Sequence, residues 1–407
     1  MSSWPETVPL AECIAKVVGG GTPSRTVQSN WVGSVPWASV KDLAQGELVL
    51  DDTQEHISEG ALGGSSANLI PAGIPIVCTR MAVGRIAMPS VDMAINQDLK
   101  ALYPARGVDP RYLLRAVDFL QPELEALASG STVKGIQVRD LLSLRIPKPP
   151  LPTQRRIVEI LETLDSEIRL SEAVLEKQTK MREGMITEAI SKSRDGSGIE
   201  ESALGDLLLN GPSGAVIGPF GSNLTAHDYR SAGVPVIFVR DIQSGHLAWK
   251  SDVYVSLDKA RELSAHVSEP GDILVTKMGD PPGTAAMHDD RLGSAVITAD
   301  IIRLRADVTK VSPQWLWIFL NSPLAAAQVR AMAGGVTRQK VTLRDFRTLR
   351  VSKPNRSTQE QLAGAVQAAD SLIAKEQETV AKLRRMRSGL ISDVFRGRIR
   401  DLGPVSA

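Results

Sequence analysis

The side chains best equipped for chemistry in this chain are cations, and they fall in two clusters. Thr337–Arg356 carries Arg338, Lys340, Arg344, Arg347, Arg350, Lys353 and Arg356 against a single acid, Asp345. An earlier stretch carries Lys134, Arg139, Arg145, Lys148, Arg155 and Arg156. Fixed positive charge that recurs in this way suits a phosphate backbone, where each contact releases a counterion. Further upstream, Arg25, Lys41, Arg80, Arg85 and Lys100, with Arg240 and Lys277 in the second half, have the reach for phosphates or base edges. Asn96 and Gln97 carry the amide that reads adenine by paired hydrogen bonds. Two small-residue turns, Gly19–Arg25 and Gly218–Asn223, offer backbone N–H groups and the hydroxyls of Thr22, Ser24 and Ser222 to phosphate oxygens.

Other chemistries lack their residues. No Gly-x-x-x-x-Gly-Lys-Ser/Thr phosphate loop occurs, which argues against ATP hydrolysis. His56, His227, His246, His266 and His288 show no ligand spacing, so no metal site is expected. Asp280-Pro281-Pro282-Gly283 departs from the Asp-Pro-Pro-Tyr motif of amino-methyltransferases at the place where an aromatic ring stacks on a flipped base, and reads as a loop. Cys13 and Cys78 have neither metal nor redox spacing and read as reduced, buried thiols. The start of the chain lacks the pattern of a signal peptide, and no run of about 18 apolar residues occurs, so a soluble cytoplasmic protein is expected. With 47 Lys and Arg against 46 Asp and Glu, the net charge is only +1. Any nucleic-acid surface must therefore be a local patch offset by acids elsewhere.

A duplicated frame positions these groups. Gly130–Ile190 matches Gly335–Phe395 without gaps at a constant offset of 205. Arg139-Asp140 falls on Arg344-Asp345, Thr153-Gln154 on Thr358-Gln359, Asp165-Ser166 on Asp370-Ser371, and Met181-Arg182 on Met386-Arg387. Upstream the match is weaker and gapped. Val35-Pro36 through Lys41-Asp42 parallels Val234-Pro235 through Arg240-Asp241. Cys78-Thr79-Arg80-Met81 sits opposite Val275-Thr276-Lys277-Met278, and Ile95-Asn96-Gln97-Asp98 opposite Ile297-Thr298-Ala299-Asp300. A diverged globular part followed by a better-kept tail implies one shared mechanical role and two different reading tasks.

The globular parts hold short β-branched runs, among them Ile74–Cys78, Val234–Val239, Ile273–Val275 and Ile301–Leu304, broken by Gly and Pro turns. Asp109–Leu120 and Ser312–Leu320 read as matching helices with a polar cap beside a Pro. In the first tail, Thr153 is placed to cap a helix running to about Ser193, with a seam at Ile157, Leu161, Leu164, Ile168 and Leu175. The second repeats it with Leu362, Val366, Ala369, Ile373, Val380 and Leu383. Such rods are roughly 55–60 Å long, and each apolar stripe needs a partner, for which its own duplicate is the obvious candidate. Ser171 and Glu376 interrupt the seams at the same place, and Gly184 and Gly389 imply either a close backbone crossing or a helix end. The expected fold is α+β. Two strand-rich recognition domains, residues 1–150 and 197–352, are separated by two long antiparallel helices, residues 151–196 and 353–407, forming a coiled-coil spacer in a pseudo-two-fold arrangement.

The chain resembles the specificity (S) subunits of type I restriction–modification enzymes over almost its whole length. The resemblance rests on Gly20-Gly21-Thr22-Pro23-Ser24 followed by Val35-Pro36-Trp37, and on Pro219-Phe220-Gly221-Ser222-Asn223-Leu224 followed by Gly233-Val234-Pro235. It rests also on Asn96-Gln97, on Lys277-Met278-Gly279, and on the Pro-rich lead-in to Gln154. The second lead-in departs from the pattern, since Lys353-Pro354-Asn355-Arg356-Ser357-Thr358-Gln359 keeps one proline. The resemblance implies that each globular domain reads one half of a split site in double-stranded DNA. It also implies two adenine-methyltransferase subunits and motor-nuclease restriction subunits as partners. S-adenosylmethionine, ATP and Mg would then act on those partners, with no cofactor and no catalytic residue here. The residues expected at the DNA are Thr22, Ser24, Arg25, Trp37, Lys41, Arg80, Arg85, Asn96, Gln97, Lys100 and Lys134 in the first domain. In the second they are Ser222, Asn223, Arg240, Lys277, Arg338 and Lys340. Two other readings stay open: a DNA-reading subunit of another defence or methylation complex, and a coiled-coil scaffold that binds no DNA.

Overall fold

The β-branched runs fold into strands and the heptad tails into helices, giving a mixed α+β chain. The structure, a computed structural model, describes residues 7–130, 134–192, 200–243, 245–279, 282–333 and 340–398. It divides into two compact units, one of Met1–Glu172 with Glu378–Ala407, the other Ala173–Gln377. Four helices matter for the site: α1 (Pro110–Phe119), α2 (Leu151–Lys192), α3 (Pro313–Leu320) and α4 (Arg356–Phe395). Because the unit boundary cuts α2 and α4, each unit holds the start of one long helix and the end of the other.

In the first unit five strands pair in the order Ile14–Gly19, Leu99–Pro104, Ile76–Cys78, Ile86–Pro89, Val49–Leu50. A second sheet runs His56–Ile57, Val35–Ala38, Met93–Ile95, Asn68–Ile70. The second unit repeats the plan, with Ala215–Ile217, Ile301–Leu304, Ile273–Thr276 and Ala285–Met287 in one sheet. Its other sheet pairs Val234–Ile237 parallel to Ala295–Ile297, as the first unit pairs Val35–Ala38 with Met93–Ile95.

The register of these ladders corrects one sequence match. Leu99 lies opposite Cys78, whereas Ile301 lies opposite Thr276. Gly84 N–H donates to the Cys78 carbonyl at 2.9 Å, and Gly283 N–H to the Thr276 carbonyl at 2.9 Å. The structural counterpart of Cys78 is therefore Thr276, that of Thr79 is Lys277, and that of Arg80 is Met278, one residue away from the sequence match. Asp98 and Asp300 do correspond, their carbonyls accepting from Thr79 N–H and Lys277 N–H at 2.9 and 2.8 Å.

α1 and α3 begin as their sequences require: Asp109 accepts from Arg111 N–H and Tyr112 N–H, Ser312 from Trp315 N–H, with Pro110 and Pro313 at the first turn. The same two helices anchor the long ones. Buried Gln154 of α2 accepts from Asp109 N–H at 2.8 Å and donates to the Pro149 carbonyl at 2.8 Å. Buried Gln359 of α4 accepts from Ser312 N–H at 2.8 Å and donates to the Pro354 carbonyl at 2.7 Å. α2 begins at Leu151, so Thr153 lies inside its first turn rather than capping it.

The seam is real along both helices. Ile157, Val158 and Leu161 share the first unit's core with Val394 and Phe395 from the end of α4, and the Phe395 ring stacks on Phe119 at 5.4 Å. In the second unit Ile186 and Ile190 from the end of α2 join Val366, Leu362 and Trp315. Asp165 pairs with Arg387, and Asp370 with Arg182. These are the same two residue types at the same repeat positions, exchanged between copies.

Gly184 and Gly389 lie within α2 and α4, exposed, with no atom within 4 Å of a Cβ built there. Neither a close crossing nor a helix end accounts for them. Gly184→Ala and Gly389→Ala should each stabilise the chain by about 1 kcal/mol, because alanine has the better helix propensity. Urea unfolding reads this directly, and a lowered midpoint for both variants would show that the backbone there is not regular helix.

The second unit also buries a histidine. His288 Nδ1 lies 2.8 Å from Ser268 Oγ, and both side chains are out of reach of solvent. Burial lowers its pKa below the ordinary 6.5, against the opposing pull of a hydrogen bond with the Gly293 backbone and of Asp272, Asp289 and Glu269. The folded state thus resists a proton that the unfolded state takes up, so the stabilisation is complete above about pH 6.5 and is lost as pH falls below it. Chemical unfolding of the whole chain at pH 7.5 and 5.5 should show a smaller loss for His288→Gln than for the unaltered chain. Identical losses would remove His288 as the cause.

Candidate nucleic-acid interface

A turn pressed against a strand organises the polar edge of the first unit. A Cβ at Gly20 would stand 1.8 Å from the Ile95 carbonyl oxygen, so only glycine permits this approach. Gly21 N–H donates to the same carbonyl at 3.0 Å, and the Trp37 indole N–H donates to the Gly21 carbonyl at 3.0 Å. Held this way, Thr22 donates its hydroxyl to Gln97 Oε1 at 2.6 Å. Lys100 Nζ donates to the Gln97 carbonyl at 2.9 Å, and Arg80 reaches Asp98 at 3.5 Å. Met81 N–H donates to the Lys134 carbonyl at 2.9 Å, which brings Lys134 to the same edge. Thr22, Gln97, Lys100, Arg80 and Lys134 thus meet although they come from four separate parts of the chain. Burial lowers the Lys100 pKa, opposed by the Asp98 carboxylate and reinforced by Arg80.

Beside this edge Arg25 forms a two-point pair with Glu55 and lies flat over Trp31, 3.5 Å from the ring centroid. The pair holds the Glu55 carboxyl below its usual range. The Ser24 carbonyl accepts from Asn30 Nδ2 and from the Trp31 indole, both at 3.2 Å, and its hydroxyl contacts Thr26. Lys41 is exposed, while Arg85 points back to the Leu43 carbonyl at 3.3 Å.

Two expected readers are structural instead. Trp37 is 3% exposed, and its indole is occupied in bracing the turn. Asn96 is 6% exposed, with Oδ1 accepting from Asp98 N–H and Leu99 N–H and Nδ2 donating to Asp98. Its amide has no face left for a base. The N–H groups of Gly21 and Gly218 are also engaged, by the Ile95 and Ile301 carbonyls.

The second unit builds the same turn with different side chains. Gly218 presses on the Thr298 carbonyl as Gly20 does on that of Ile95, a Cβ there standing 2.2 Å away. Ser222 and Asn223 are exposed in the turn and contact each other at 3.3 Å. Lys277 Nζ lies 5.9 Å from the Phe220 ring centroid, and Arg240 lies over Phe238 at 4.3 Å while donating to Ser251. Met278 and Lys340 form a β-bridge, as Arg80 and Gly135 do in the first unit, so Lys340 stands at the place of Gly135, one residue along from Lys134. Arg338, Asp280 and Pro281 lie outside the described residues. Sequence reasoning missed Asp98, Glu55 and Phe220 as parts of these edges; an aromatic between a Pro and a Gly in a turn was the available signal for Phe220.

Four of the clustered cations hold backbone carbonyls. Arg145 holds the Thr7 carbonyl, Lys148 that of Glu12 at 2.8 Å, Arg347 that of Ala215 at 2.7 Å, and Arg356 that of Val308 at 3.0 Å. The first three tie segments of the globular parts together, and Arg356 ties the start of α4 to the loop at Val308. Lys134 and Lys340, at the polar edges, remain exposed.

Comparison with known proteins finds one kind of relative. Residues 4–178 match the type I restriction modification DNA specificity domain. The specificity subunit of the MjaIX type I restriction enzyme of Methanocaldococcus jannaschii is 21% identical over 95% of this chain and 92% of its own length. That of the Escherichia coli EcoR124I/EcoR124II enzyme is 34% identical over 38% of this chain and 39% of its own length. The chain is similar to the specificity subunits of type I restriction enzymes. Its fold agrees with that of the S subunit from M. genitalium, which superposes with a TM-score of 0.59 over 96% of each chain at 14% identity. No group of His, Cys, Asp or Glu among the described residues is arranged to hold a metal. Burial pushes the Cys78 thiol up to about 12, leaving it protonated and unreactive. No helix among the described residues is long and apolar enough to cross a membrane.

Proposed function

We propose that the chain is the non-catalytic DNA-reading subunit of a type I restriction–modification complex in the cytoplasm. Each globular domain reads one half of a bipartite, asymmetric site in double-stranded DNA. The long helices dock two adenine-methyltransferase subunits and the motor-nuclease subunits, on which S-adenosylmethionine, ATP and Mg act. The observation that carries this reading is a constant backbone with changed side chains: the same turn, pressed on the same strand, presents Thr22 and Gln97 in one domain and Phe220 and Ala299 in the other. A scaffold that binds no DNA has no use for such a substitution, whereas a pair of readers with different half-sites requires it.

Binding to duplex DNA across a salt series tests the reading. Lys134→Glu and Lys340→Glu should each weaken binding on all sequences and reduce the log–log salt slope by about 0.9, the value of one phosphate contact. Gln97→Ala should leave the slope unchanged and relax preference at one base pair by about 1–3 kcal/mol. A uniform loss for both kinds of variant would show that Gln97 is no reader. Absence of duplex binding by the unaltered chain, at any salt concentration, would leave the scaffold reading standing.

The joints at Gln154 and Gln359 fasten each domain to its own helix independently. Replacing residues 1–150 with the corresponding domain of a relative should therefore change one half of the methylated motif in vivo and leave the other. Methylome sequencing with the partner subunits present reads the outcome, and a change in both halves would mean that the domains do not read separately.

A further inference from the structure

The two reading edges differ in chemical kind, not only in sequence. Ladder register fixes their correspondence: Lys100 lies opposite Gly19, and Ile302 opposite Ile217, which aligns Gly20 with Gly218 and Thr22 with Phe220. The same register aligns Gln97 with Ala299, Arg80 with Met278, and Lys100 with Ile302. A hydrogen-bonding, cationic edge in the first domain is thus replaced by an apolar one in the second. Phe220 is 67% exposed at its tip, although a phenyl ring of this size gains from burial. None of the described residues of the second unit covers it, and Lys277 stands beside the ring as a cation suited to an adjacent phosphate. The turn borders an open groove of about 740 Å³ whose lining includes Pro219, Phe238, Arg240 and Ala299.

We infer that Phe220 is a specificity-determining residue that reads a thymine in the second half-site through its C5 methyl group. This rests on the proposal that the domains read DNA. In the major groove thymine is the one base that offers an apolar contact, and phenylalanine is among the side chains that take it. An amide or a cation in this place would select adenine or guanine instead, which is the chemistry that Gln97 and Arg80 bring to the first domain.

Deoxyuridine lacks only that methyl group and so isolates the contact. With the motif mapped by methylome sequencing and its halves assigned by domain replacement, each thymine is replaced singly by deoxyuridine in duplexes bound by the full chain. One replacement in the second half-site should weaken binding about fourfold, the worth of one buried methyl group. Phe220→Ala should bind the thymine and deoxyuridine duplexes equally, while its responses to replacements in the first half-site stay as in the unaltered chain. Phe220→Leu, which keeps an apolar tip, should retain part of the discrimination. If Phe220→Ala weakens binding to every duplex alike, the ring acts on the backbone or between bases, and the inference falls. A chain that prefers its site yet ignores every deoxyuridine overturns this inference alone. A chain that binds no duplex overturns the functional reading and this inference with it.

Discussion

Neither long helix can leave its apolar stripe in water, and the answer to that constraint organises the chain. A stripe of this length gains its stability from tertiary packing rather than from helix propensity. Each unit supplies the packing by combining the start of one helix with the end of the other, so that Val394 and Phe395 complete one core and Ile186 and Ile190 complete its counterpart. Each such side chain contributes about 1.5–3 kcal/mol on burial. The exchanged Asp165–Arg387 and Asp370–Arg182 pairs contribute far less as partly exposed ion pairs. Their effect is on register: slipping one helix by a turn separates each pair by about 5.4 Å.

A second constraint follows at the foot of each helix. An amide buried as deeply as Gln154 or Gln359 must satisfy its donor and its acceptor, since an unmet buried group costs about 1–3 kcal/mol. Both do so against backbone: the N–H that opens the capping turn of α1 or α3, and a proline carbonyl just before the long helix. Backbone partners are indifferent to the side chains of the sheets beyond. The joint therefore stays the same while the reading edge changes, and divergence of the globular parts costs the helices nothing.

This also explains what could be read from the amino-acid sequence. The tails align without gaps because each residue answers to a core and to a partner helix, and the heptad seam, the Arg–Asp positions and the α+β layout were all legible there. The correspondence of Arg80 was not, because Thr-Arg-Met and Thr-Lys-Met look alike while the ladders that fix register are set by residues some 20 positions away. Burial was equally hidden: nothing in Asn96-Gln97 says that the first amide folds back on Asp98 while the second faces outward. The basic clusters misled for a related reason. A cation that holds a backbone carbonyl, as Lys148 and Arg347 do, has the same composition as one that waits for phosphate.

On the proposed reading of DNA, the edges that result cannot discriminate equally. An amide that forms two hydrogen bonds to a base separates right from wrong by about 1–3 kcal/mol, whereas one methyl contact is worth about 0.8 kcal/mol. With Phe220, Ala299 and Met278 standing where Thr22, Gln97 and Arg80 stand in the first domain, the second must draw on groups outside this edge to reach comparable selectivity. Arg240 is the candidate the geometry offers, exposed at the rim of the neighbouring groove and held by Ser251 and the Phe238 ring. Its first-domain counterpart, Lys41, lacks any such brace in a ring. A guanidinium already oriented loses less freedom on meeting a guanine than a free lysine does. On that reading the second domain compensates for a weaker edge with a better-ordered cation, on the same backbone.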